Sequence, residues 1–162
     1  LGLSTARLAA TIERHNAFPE DPVQTRGGWA RDIDDLWSAA GCGPQDMDMV
    51  QLYDDYPVIV AMQLADLGFC EKPELSRFIA DNDFTISGSL PLNTNGGQLS
   101  AGQAGAAGGF QNVTEGLRQI LQTPLGDQVP DARRALISGF GLVNYDRGIC
   151  TGAAVLEQEV LR

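Results

Sequence analysis

Met47 to Gly68 reads MDMVQLYDDYPVIVAMQLADLG, and the change of period inside it decides the fold. Met47 to Leu52 alternates loosely, as a strand does, while Tyr56 to Leu67 carries a dense apolar face that ends at Gly68. Tyr53, Asp54 and Asp55 form the turn between them. A strand, a sharp turn and a buried helix in succession make one unit of an α/β sheet.

Reading outward, Trp29 to Ala40 places Ile33, Leu36, Trp37 and Ala40 at helical spacing, with Gly41 as the stop. Trp29 and Trp37 read as core or interface aromatics. Leu8 to Glu13 predicts a short strand, and the Pro- and Asp-containing stretch from His15 to Gly28 a long loop. Downstream, Pro73 to Ala80 predicts a short helix and Phe84-Thr85-Ile86 a brief strand. From about Ala104 a helix is expected through Val113, Leu117, Ile120 and Leu121, which share one stripe. Arg134 to Ser138 and Cys150 to Glu157 read as two final strands separated by a loop, Gly139 to Gly148.

The 162 residues, 43% of them hydrophobic, suit one domain over 1–162, with residues 1–28 a strand plus long loop leading into it. Eleven basic side chains against 21 acidic give a net charge of −10, which disfavours nucleic acid and anionic membranes as partners. No apolar run reaches the roughly 18 residues of a membrane span, and Leu1 to Ala10 has no signal-peptide core, so a soluble, cytoplasmic protein is expected. A start at Leu1 is expected of a processed or partial chain. Cys42, Cys70 and Cys150 are odd in number and lack the close pairing of a zinc knuckle or redox motif. They read as buried reduced thiols, with no metal site expected.

Two turn regions attract attention as chemistry: Tyr53-Asp54-Asp55-Tyr56 after the middle strand, and the small-residue segment from Asn93 to Gly109. In open α/β sheets ligands gather outside strand ends, and glycines before a helix start expose amides that hold an oxyanion. The same small residues equally serve close packing of a helix on backbone. No phosphate-binding G-x-x-x-x-G-K-[ST] loop is present.

The run Gln51-Leu52-Tyr53-Asp54-Asp55-Tyr56, then Gly68-Phe69-Cys70, Gly88-Ser89-Leu90-Pro91-Leu92-Asn93, Gly96-Gly97, Gly102-Gln103 and Gln128-Val129-Pro130 resembles, in order and spacing, the C-terminal half of a thiolase. The similarity runs from roughly Gly43 to Glu157 and is greatest to the lipid-transfer-protein branch. It implies a thiolase-like half-fold, α/β, with a mixed β-sheet and helices packed on its faces. Where that branch has His-Asp-x-Phe, this chain has Tyr53-Asp54-Asp55-Tyr56; where it has Gly-His-Pro, this chain has Gly102-Gln103-Ala104. The late loop reads Ser138-Gly139-Phe140-Gly141-Leu142-Val143-Asn144-Tyr145 and has no counterpart of the thiolase acid–base cysteine. Thiolase chemistry needs that proton carrier, a histidine and a nucleophilic cysteine from the N-terminal half, so condensation and thiolysis are disfavoured.

The resemblance implies instead a thiolase-fold aldolase, like those of bacterial steroid side-chain degradation, which cleave a hydroxyacyl-CoA by retro-aldol chemistry and release propionyl-CoA. No cofactor is implied beyond the coenzyme A of the thioester substrate. Tyr53 is the first candidate acid or base, with Tyr56 and Tyr145 in reserve, provided neighbouring donors or dipoles pull a phenol down from about 10. Each tyrosine has the plainer reading of a packed ring with a hydrogen-bonded hydroxyl. Asp54 and Asp55 either orient a tyrosine or cap the following helix. Gly96, Gly97 and Gln103 are candidates for oxyanion or thioester contacts, and His15, on a loop, for substrate contact. Alternatives are a thiolase-like acyltransferase and a non-catalytic lipid-binding or assembly half-domain. The expected partners are an acyl-CoA, the N-terminal thiolase half or remainder of a parent chain, a second copy in a homodimer, and an OB-fold protein of the DUF35 type. Without the other half, the chain alone is expected to be inactive.

Overall fold

Along the strands, consecutive side chains go to opposite cores. In the computed structural model, which describes residues 3–103, 105–145 and 147–161, Val50, Leu136 and Val155 enter one apolar cluster. Their neighbours Met49, Ala135, Ile137 and Leu156 enter another. That period of two is the geometry of a strand buried on both faces. The sheet order is β1 (Leu3–His15), β4 (Arg147–Leu161), β3 (Arg134–Asn144), β2 (Met49–Gln51). β1 and β3 both run antiparallel to β4, and β2 lies parallel to β3, so the sheet is mixed as expected.

Helix α1 (Trp29–Ala40) packs against the first cluster through Trp29, Ile33, Leu36 and Trp37. Gly41 ends it in the left-handed region at φ 69°, donating its N–H to the Trp37 carbonyl. Buried Asp32 ties the helix to β1 by accepting two bonds from Arg14, at 2.6 and 2.7 Å. Helix α2 (Pro57–Asp66) shares that face and starts on Pro57, whose fixed φ suits a first helical position. Two shorter helices follow, α3 (Leu75–Asp81) and α4 (Gly97–Ala101). Helix α5 (Gly109–Ile120) covers the second cluster, lying so close to β3 that a Cβ on Gly116 would crowd Ile137. No helix among the described residues is long and apolar enough to cross a membrane.

Four expectations change. The loop expected from Gly139 to Gly148 is mostly a hairpin, because Gly139 pairs with Gly152 and Gly141 with Cys150, and the antiparallel ladder supplies the order that glycine lacks locally. Phe84-Thr85-Ile86 is a turn, held by Thr85 N–H donating to the Asp83 carboxylate and Gly88 N–H to the Thr85 carbonyl. The helix expected from about Ala104, a residue outside those described, is broken: α4 stops at Gly102, φ 90°, a single 3-10 turn spans Gly105–Ala107, and α5 begins at Gly109. All three cysteines are partly exposed rather than buried.

Candidate functional site

The strand-to-helix turn is built from buried amides. Where β2 ends, Asn93 accepts from the Leu52 N–H at 2.7 Å and donates to its carbonyl at 2.9 Å. One residue on, Gln63 of α2 does the same for Tyr53: its Oε1 accepts the Tyr53 N–H at 3.2 Å, and its Nε2 donates to the Tyr53 carbonyl at 2.6 Å. Ser138 of β3 donates its hydroxyl to the same Oε1. Gln63 is fully buried, so the backbone of Tyr53 is fixed between α2 and the sheet.

The Tyr53 ring meets Phe140 at 5.8 Å between centroids, and Phe140 stacks on Trp29 at 5.9 Å. Tyr53 lies in the walls of two cavities. The first, about 650 Å³, is lined by Tyr53, Asp55, Tyr56, Met62, Phe140 and Tyr145, among others. The second, about 800 Å³, opens on the glycine-rich face of the hairpin and includes Gln98, Gln103, Ser138 and Gly139. All three candidate tyrosines therefore share one cavity. Tyr56 and Tyr145 are exposed on it, Tyr145 at the hairpin turn with φ 55°.

Burial pushes the Tyr53 hydroxyl above its ordinary 10, and the Asp55 charge and acceptor oxygen push it further, while the Gln103 amide opposes them by donating to the phenolate. The lowered phenol that the sequence reading set as a condition is not found at Tyr53, whose hydroxyl is pushed up instead. Burial and Asp55 thus favour the protonated phenol of Tyr53 over its phenolate.

Asp54 has another task. Its Oδ1 accepts the Gln98 N–H at 2.8 Å and its Oδ2 the Leu99 N–H at 3.4 Å, so it caps α4 across space rather than the following helix α2. Gly97, φ 62°, is glycine for this reason, since a Cβ there would overlap the Asp54 carboxylate. The Gly96 N–H goes to the Asn93 carbonyl at 2.7 Å and the Gly97 N–H to Asn95 at 2.9 Å. Both of these candidate contact residues thus have their N–H groups already paired within the chain. His15 lies at the end of β1 against Glu13 and Cys150 and lines neither cavity beside Tyr53.

Gln98 was not singled out from the sequence. It is 5% exposed, and both of its amide atoms lack a hydrogen-bond partner although it lines the cavity with Tyr53 and Gln103. Its place directly after Gly96-Gly97 was the available signal. A buried amide left unpaired beside a cavity suits a ligand's polar group.

Residues 11–151 match the family described as thiolase C-terminal domain-like. The chain is 42% identical over 88 residues to a 17-hydroxy-3-oxo-4-pregnene-20-carboxyl-CoA lyase of Mycobacterium tuberculosis, covering 54% of this chain and 22% of that one. It is 37% identical over 103 residues to a steroid side-chain-cleaving aldolase of Thermomonospora curvata, covering 64% and 25%. A solved structure described as an Ltp2-ChsH2(DUF35) aldolase superposes with a TM-score of 0.78 at 26% identity, over 94% of this chain and 39% of that one. The chain thus spans about a quarter of the length of those two curated relatives. With the mixed sheet, the strand-turn-helix unit and this match over most of its length, the chain belongs to the thiolase C-terminal domain-like family.

Proposed function

We propose that the chain is the C-terminal half of a thiolase-fold aldolase that cleaves a β-hydroxyacyl-CoA, specifically a steroid side-chain thioester, by a retro-aldol reaction releasing propionyl-CoA. The observation that carries this reading is Tyr53. At the turn where thiolases of the lipid-transfer branch place a histidine, a neutral phenol lines an apolar-walled cavity with Asp55 and Gln103 around its hydroxyl. Similarity to two steroid side-chain-cleaving enzymes supports the substrate class.

In the proposed reaction, Tyr53 oxygen takes the substrate's hydroxyl proton as its own proton passes to Asp55. The C–O bond becomes a carbonyl, the Cα–Cβ bond breaks, and its electron pair moves into the thioester as an enolate. Gln98 and Gln103 amides are the donors for the enolate oxygen. The proton then returns from Asp55 through Tyr53 to Cα, giving propionyl-CoA and leaving the tyrosine as it began. No acyl-enzyme forms, so no cysteine nucleophile is needed. Tyr56 and Tyr145 line the entrance as further hydroxyl donors. Coenzyme A enters only as part of the substrate.

The partners proposed with this reading are the N-terminal thiolase half, a second copy of the protein, and a DUF35-type OB-fold protein, the last because the superposing aldolase structure contains one. The test is to incubate the protein, with its parent chain and that partner, with a hydroxylated steroid-CoA and to assay propionyl-CoA. Release that drops at least about a hundredfold in Tyr53→Phe supports the reading. The apolar walls of the 650 Å³ cavity also suit a non-catalytic lipid-binding module, and tight binding of the thioester without propionyl-CoA would favour that instead.

A further inference from the structure

Three metal-ligand side chains meet at the end of the edge strand β1. His15 and Cys150 are direct cross-strand partners, and Glu13, two residues before His15, stands on the same face. The residue opposite Glu13 is Gly152, which has no side chain to occupy the space between them. The Cys150 sulfur is 3.6 Å from the His15 Nε2, and the Glu13 Oε1 is 2.5 Å from that same nitrogen. All three ligand atoms lie within 4.8 Å of one another. A single imidazole nitrogen carries at most one hydrogen, so it serves both neighbours only through a shared, three-centre bond. The convergence has the form of three ligands facing a common point.

We propose that Glu13, His15 and Cys150 bind a divalent cation of the zinc type, with a fourth position open to water. A tetrahedral zinc ion with ordinary bond lengths holds a thiolate sulfur and an imidazole nitrogen about 3.5 Å apart, which the Cys150–His15 spacing already meets. It holds nitrogen and carboxylate oxygen about 3.4 Å apart. Glu13, whose side chain is 69% exposed, reaches that by a small outward rotation. A thiolate, an imidazole and a carboxylate together select zinc-like ions over magnesium or calcium, which take oxygen ligands. The bound ion would fasten the end of β1 to β4, where Asn16 N–H already donates to the Ile149 carbonyl at 2.6 Å.

Zinc titrated into the reduced full chain against a chromophoric chelator tests this, with cobalt(II) as the spectroscopic probe. The expected result is one zinc per chain and a near-ultraviolet thiolate-to-cobalt band. Cys150→Ser removes the band, Cys150→Ser and His15→Gln each weaken zinc binding at least about tenfold, and the Cys42→Ser/Cys70→Ser double variant keeps both signals. Should Cys150→Ser misfold by circular dichroism, Glu13→Gln and His15→Gln decide. Substoichiometric zinc, an absent cobalt band, or unchanged affinity in the Cys150 or His15 variant overturns the site.

Discussion

Gln63 grips the backbone of Tyr53 from both sides, accepting its N–H and donating to its carbonyl, while also receiving the hydroxyl of Ser138. One fully buried side chain thereby joins the helix α2, the turn and the central strand β3. Gln63→Leu preserves bulk but strands the N–H and carbonyl of Tyr53 and the Ser138 hydroxyl away from water. The expected loss is about 2–4 kcal/mol, read as a lower urea midpoint with an unchanged slope. A midpoint within error of wild type would show that the turn is held by something else.

Because burial and Asp55 both disfavour its anion, the Tyr53 phenol titrates above 10. Spectrophotometric titration of the folded chain at the phenolate band should therefore lose a transition with a midpoint above 10 in Tyr53→Phe. Asp55→Asn removes the raising charge, so that transition should move down. Movement upward would separate Asp55 from the Tyr53 hydroxyl.

Much of this was legible before any coordinates. Helix α1 and its Gly41 stop, the strand–turn–helix unit at Tyr53, and the stripe of α5 all follow from local periodicity. What was not legible depends on partners distant in sequence. Gly139 to Gly148 looks like a loop because glycine carries no strand preference, and only the ladder to residues 147–152 makes it a strand. Asp54 sits where a local cap belongs, yet it caps α4, more than forty residues away. Likewise Cys150 reads as a lone thiol until pairing with His15 brings an imidazole and the Glu13 carboxylate beside it.

The Asp54 cap and the left-handed Gly97 are one device. Gly97→Ala is penalised twice, by a β-carbon overlapping the carboxylate and by φ 62°, a region that costs a residue with a side chain roughly 1–2 kcal/mol on its own. Asp54→Ala loses the cap, at about 1 kcal/mol. In the double variant the overlap is relieved and only the dihedral cost and the missing cap remain. Denaturation midpoints should show the double variant less destabilised than the sum of the two single ones.

Gln98 separates folding from chemistry. Its buried amide has no partner for either polar atom, so Gln98→Leu removes an unsatisfied group and should leave stability unchanged or raise it by up to about 2 kcal/mol. The same change takes away a donor proposed for the enolate oxygen, and propionyl-CoA release should fall at least about tenfold. A destabilised Gln98→Leu would mean that the amide has a structural role in the folded chain.

Glu157 should make a contribution of its own to acid sensitivity. It stands on β4 between the two flanking strands, accepting from Arg134 of β3 at 3.0 and 2.7 Å and from Arg7 of β1. The Arg134 hydrogen bonds hold its carboxyl below the ordinary 4.5, with Arg7 adding to the effect. A depressed folded-state value means that the unfolded chain binds the proton first. The contribution is therefore fully present above 4.5 and disappears as pH falls through the folded value. Urea midpoints taken from about pH 6 down to about pH 3 should fall more steeply for wild type than for Glu157→Gln, with the two curves converging at the acid end. Curves that stay parallel across that range would show that the carboxylate does not bridge the three strands in solution.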